Sequence, residues 1–227
     1  MRKQDCGELM IICVAVGAGL LSFVLNMMCR YDLETEKTAG RMKYLFQIKK
    51  GRGVFLLICI LFCLGLTWLF SQYHYGPLKV IKYLLLLSGL YPIAWEDARE
   101  KKIPNRWLFY LLAGRGFLFL AEAVYFPALL TENVKFILSG GLVSGAVFLT
   151  AYVISRRAVG MGDVKLVAVI GTYLGFRVNY FVMLAALVLS AVYGGGMVLR
   201  KKKGMKDEIA FGPFVAVGTL MVLLIGA

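Results

Sequence analysis

The chain has 227 residues, of which 60% are hydrophobic and 17% charged, and its 26 Lys and Arg against 13 Asp and Glu give a formal net charge of +13. Soluble domains are about a quarter charged, and a water-soluble fold of this size could not hide so much apolar surface. The composition excludes that class and predicts an all-α, polytopic membrane bundle.

Crossing a hydrocarbon core takes about 20 mainly apolar residues. In chain order such runs are Leu9–Met28, Val54–Phe70, Val80–Trp95, Trp107–Phe126, Val134–Ile154, Met161–Phe176, Val178–Leu199 and Phe211–Gly226, about eight crossings. Arg2 and Lys3 precede the first run as in a secretory signal, but Asp5 and Glu8 interrupt its flank and no A-x-A-like site follows. That span is expected to be retained. Cys29–Gly53 is the one long polar stretch, a basic loop too short for a core of its own. The chain thus reads as a single membrane-embedded domain over 1–227, with 29–53 a cytoplasmic loop.

Basic residues collect in alternate loops. With the amino terminus outside, the inward segments hold Arg30, Lys37, Arg41, Lys43, Lys49, Lys50 and Arg52, then Arg99, Lys101, Lys102 and Arg106, then Arg156 and Arg157, then Arg200 to Lys203 and Lys206. The outward segments hold only Arg2, Lys3, Lys79, Lys82, Lys135 and Arg177. Positive charge stays on the cytoplasmic side of a bilayer, so the net charge reports topology and no nucleic-acid partner is expected.

The five cysteines, at 6, 13, 29, 59 and 63, form no C-x-x-C pair, and the single histidine is His74 in an outward loop. A structural zinc site needs four such ligands, so no metal or cofactor is expected. The glycines around Ser139–Gly141 and Gly194–Gly196 fall within runs, where small residues let helices approach closely. Trp68, Trp95, Trp107 and the tyrosines suit interfacial anchoring.

Ionisable groups inside or at the edge of a span are costly and usually functional. Those that qualify are Glu96, Asp97 and Glu100 at the inner end of the third run, Glu122 in the fourth and Asp163 at the inner end of the sixth. Arg115 and Glu122 stand seven apart on one helical face about two turns separated, and are read as a charge pair through a third group. Glu96 and Glu100 are read as solvated partners for Arg99, Lys101 and Lys102.

The topology brings Asp97 and Asp163 to the same depth on the cytoplasmic side. Around the second aspartate the chain reads Gly160–Met161–Gly162–Asp163–Val164–Lys165–Leu166. Its glycines allow close approach of an extended peptide, and a glycine beside an acid is also how a helix N-cap looks. After Asp97, Pro104 disfavours helix at Ile103 and marks a turn ending at Asn105. Near the carboxyl end comes Phe211–Gly212–Pro213–Phe214.

An Asp followed by an Ile-Pro-Asn turn, then GxGDxKL opening a span, then FGPF, closely resembles the type IV prepilin peptidase and preflagellin peptidase family, from about Leu84 to the carboxyl end. The resemblance implies that Asp97 and Asp163 are the catalytic pair, with Gly160, Gly162 and Lys165 completing one motif, Ile103, Pro104 and Asn105 the turn, and Gly212 and Pro213 the late segment. Ala210 departs from the proline many members carry there. The implied substrate is a prepilin-like or pseudopilin precursor, whose basic leader lies in the cytoplasm ahead of an apolar helix in the lipid bilayer. The site would face the cytoplasm from the inner membrane.

Two carboxyls a few ångströms apart cannot both ionise. One would accept a proton from the attacking water while the other donates to the developing oxyanion. Lys165, two residues past Asp163, is rotated about 200° from it on a helix. It is read either as an interface anchor or as a contact to another helix. Rival readings are a small transporter in which the aspartates carry protons or cations, and a non-catalytic pilus assembly protein. Longer family members carry a methyltransferase domain after the first span. Here Cys29–Gly53 stands in its place with no glycine-rich cofactor turn, so a peptidase without methyltransferase activity is expected.

Overall fold

The computed structural model describes residues 76–154, 160–199 and 209–226. The chain divides into two compact units, Met1–Ser88 and Gly89–Ala227. The runs expected at Leu9–Met28 and Val54–Phe70, the 29–53 loop, Trp68, His74, the five cysteines, Arg156, Arg157 and 200–208 lie outside the described residues.

Every regular element among the described residues is helical. They are α1 (Pro77–Glu100), α2 (Asn105–Tyr125), a 3-10 turn (Pro127–Leu129), α3 (Leu130–Ile154), α4 (Met161–Leu199) and α5 (Gly212–Leu224). The first four α-helices are long and apolar enough to cross a membrane, and α5 is apolar but shorter. Phe109, Phe117, Leu142 and Val153 stand exposed on helix surfaces, the setting lipid supplies. The chain is a membrane protein.

Local chemistry places the ends that matter. α1 continues beyond the run expected to end at Trp95, so Glu96 and Asp97 are helical. Lys101 then adopts a left-handed φ of 54° while its N–H donates to the Asp97 carbonyl at 2.8 Å. Pro104, extended at φ −75° and ψ 132°, precedes the first residue of α2, as the turn signal predicts.

A straight helix of α4's 39 residues would be about 58 Å long, nearly twice the roughly 30 Å of hydrocarbon. It is not straight. Gly175 sits at φ 74° and ψ 166°, a region essentially reserved for glycine. Nδ2 of Asn179 donates to the Val167 carbonyl at 3.1 Å, whereas twelve residues of continuous helix would separate them by about 18 Å. The chain folds back at Gly175 into two arms that match the expected runs Met161–Phe176 and Val178–Leu199.

Inside lipid, helices associate by close packing of small residues. α3 crosses the first arm of α4 with the backbones of Gly140 and Gly171 in contact, Gly141 against Thr172, and Gly145 against Ala168. Gly218 of α5 lies against Val182 and Ala186 of the second arm. Gly194 abuts Ile209, but a side chain added at Gly195 or Gly196 would meet nothing within 4 Å. The packing expectation therefore fits Gly140, Gly141 and Gly194, and not those two.

Arg115 and Glu122 pair directly, at 3.2 and 3.1 Å, rather than through a third group, because the guanidinium stem spans two turns. Arg115, 3% exposed, also donates to the Thr172 carbonyl at 3.0 Å. Thr172 lies just before the break at Gly175, where the helical acceptor role is lost, so Arg115 caps the first arm. Tyr173 donates in return to the Leu111 carbonyl.

Candidate active site

One end of the Gly89–Ala227 unit gathers the end of α1, the turn after it, the start of α4 and the start of α5. Between them lies an open cavity of about 500 Å³, lined by Asp97 and Asp163 together with Lys101, Lys102, Ile103, Gly160, Met161, Gly162, Ile209, Ala210 and Phe211. The aspartates thus face a common space despite their separation in sequence. Beneath it, Phe211 and Tyr152 pack on Phe148, Val164, Val167 and Met183, with the Phe148 and Phe211 rings 6.0 Å apart.

Each carboxyl is anchored by a glycine N–H. Gly212, the first residue of α5, donates to Oδ2 of Asp97 at 2.7 Å, one of the donors a helix start leaves free. Asp97 is 4% exposed. Gly160 donates to Oδ2 of Asp163 at 3.2 Å, the reach-back of an acidic third-position residue to the residue before the helix. Asp163 thus makes the local contact that the N-cap reading expects, while its side chain also borders the cavity. The glycines leave room: an added Cβ would lie 2.9 Å from Asp97 Oδ2 at Gly212, 2.9 Å from Asp163 Oδ2 at Gly160, and 3.0 Å from Ile103 Cβ at Gly162.

The remaining motif residues frame the cavity rather than line it. Lys165 reaches Asn105, Nζ to Oδ1 at 3.3 Å, so of its two readings the contact to another helix is the one found. Pro104 and Pro213 set the starts of α2 and α5. Glu96 does not serve the lysines of the turn: it pairs with Arg106 and accepts from Trp107 Nε1 at 2.8 Å. Trp107, read above as an interfacial anchor, is 1% exposed, because its indole N–H finds that carboxylate inside the bundle. Trp95 is exposed, under the Arg99 guanidinium at 5.5 Å, as an anchor should be. Among the described residues, no three His, Cys, Asp or Glu side chains converge to hold a metal ion.

Ile209 is a cavity residue that sequence reasoning did not single out, and Lys101, Lys102, Met161 and Ala210, noted there for other reasons, also line the cavity. Their adjacency to the motif residues was the available signal.

Residues 84–195 match the type IV leader peptidase family. The chain is 29% identical over 150 residues to a prepilin leader peptidase/N-methyltransferase of Bacillus subtilis, covering 66% of this chain and 57% of that one. It is 29% identical over 144 residues to the protein of that name from Aeromonas salmonicida, covering 63% and 48%. With the Dickeya chrysanthemi protein it shares 30% over 165 residues, covering 71% and 56%. The chain thus spans about half the length of these relatives. No solved structure matches it.

Proposed function

The chain belongs to the type IV leader peptidase family, and on that premise we propose that it is an aspartic endopeptidase that removes the leader from prepilin-like or pseudopilin precursors. The observation that carries this is the cavity shared by Asp97 and Asp163.

In this mechanism one oxygen of each carboxyl stays fixed by its glycine N–H, leaving the rest of the carboxyl to act on a water held between the pair. The ionised partner takes the water's proton as its oxygen attacks the scissile carbonyl. The protonated partner hydrogen-bonds the oxyanion, and a proton then passes to the leaving amine. Amide hydrolysis in hydrocarbon would lack water. A cavity open at the end of the helices supplies it, and admits an extended segment of precursor.

We place this end on the cytoplasmic face of the inner membrane, with about eight spans, the amino terminus outside, and the whole chain acting as one domain. The basic inward loops support this topology, and a basic leader would lie on that side. Lys101 and Lys102 sit on the cavity lip, among those loops. The test is co-expression with a candidate precursor: a shortened product ending at the leader junction supports the reading. A precursor left intact by well-expressed protein counts against it.

A further inference from the structure

Three consecutive residues at the start of α2 hold residues within two positions of each aspartate. Glu96, beside Asp97, is bonded by Arg106 and by Trp107 Nε1. Lys165, two residues beyond Asp163, donates to Asn105. Ile103, on the turn just before, fits against the bare backbone of Gly162. A continuous path of polar contacts therefore runs from α1, through the first turn of α2, into α4.

We propose that this turn is the jig that sets the spacing of the two aspartates, with Asn105, Arg106 and Trp107 as positioning residues acting through Lys165 and Glu96. The proposal rests on the reading of Asp97 and Asp163 as the catalytic pair. A dyad must hold one water between two carboxyls to within about half an ångström, yet its members stand on different helices with no local chain geometry to relate them. Trp107 is enclosed and cannot swing away, and the part-buried bonds to the Glu96 carboxylate are of the stronger, charge-assisted kind. The motif lysine, whose helical phase turns it from the carboxyl, thereby acquires a role: it locks α4 to the element that also locks α1.

The test uses the full chain in lipid, with precursor cleavage and cross-linking as readouts. Glu96→Leu and Lys165→Met should each lower kcat roughly tenfold with KM unchanged, because the cavity walls that receive the precursor remain. Glu96→Gln and Asn105→Asp keep an acceptor and should stay within about threefold of the parent. Lys165→Met combined with Asn105→Leu should cost no more than either alone, as expected for partners in one contact. Full kcat in both Glu96→Leu and Lys165→Met, or additive losses at 105 and 165, overturns the jig. A second protein, Asp97→Cys/Asp163→Cys with the five native cysteines changed to alanine, reads spacing without activity. A short bis-maleimide should bridge its two thiols, and adding Lys165→Met should slow bridging several-fold. If the parent chain cleaves no precursor, the peptidase reading fails, and the cross-linking still decides: slowed bridging supports the jig and unchanged bridging overturns it.

Discussion

The N–H of Gly212 and the Oδ2 of Asp97 lie 2.7 Å apart across 115 residues of sequence. That bond joins the last helix to the first described one and holds a buried carboxyl in place. Gly212→Ala would put a methyl 2.9 Å from the same oxygen and 3.1 Å from the Asp97 Cβ, so the carboxyl must move. Cleavage should fall roughly 10- to 100-fold, the scale of a 1 Å misplacement. Gly195→Ala, which meets open space, should leave the rate unchanged in the same assay.

The fold-back of α4 depends on Gly175. An alanine there would occupy a φ of 74° and run into the Phe136 ring. Gly175→Ala should lower stability by about 1–3 kcal/mol, seen as earlier loss of helical signal on heating in micelles. An unchanged midpoint would show that the turn tolerates a side chain.

Breaking the Arg115–Glu122 pair should cost more than removing it. Glu122→Leu strands a guanidinium that is 3% exposed and should destabilise by about 3–5 kcal/mol. Adding Arg115→Met should recover part of that loss. Recovery stays incomplete, because the Thr172 carbonyl then loses the donor that Arg115 supplied.

Hydrolysis by paired carboxyls needs no metal, so cleavage should survive strong chelators without a lag. Inactivation by chelator, with rescue by a divalent cation, would assign the protein to another chemistry. Its pH profile should be bell-shaped, falling where both carboxyls are protonated and again where both are ionised, and the two limbs belong to the pair rather than to either residue.

Much of this was legible in one dimension. Apolar runs found the described helices to within a few residues, because a helix that lies in lipid must be mainly apolar along its length. The fold-back was anticipated as a gap between runs, although the turn falls at Gly175 rather than between Phe176 and Val178. The meeting of Asp97 and Asp163 at one cavity followed from counting crossings. Partners that depend on side-chain direction were not legible. Trp107 and Trp95 both flank charged turns, yet one points into the bundle and the other out, and composition does not distinguish them. Glu96 passes over the nearby lysines for Arg106 and Trp107, a choice made by the Pro104 turn, which brings the start of α2 back against α1. Lys165 finds Asn105 only once α2 and the first arm of α4 lie side by side.

The most direct measurement is cleavage of a precursor by the purified chain in lipid, comparing the parent with Asp97→Asn and Asp163→Asn. Each amide preserves shape and removes acid–base function. The account predicts that both variants remain folded in the membrane, bind the precursor, and lose cleavage by at least about a thousandfold, the order seen when a member of a catalytic unit is removed. Near-parental cleavage by either well-folded variant would contradict the two-aspartate mechanism.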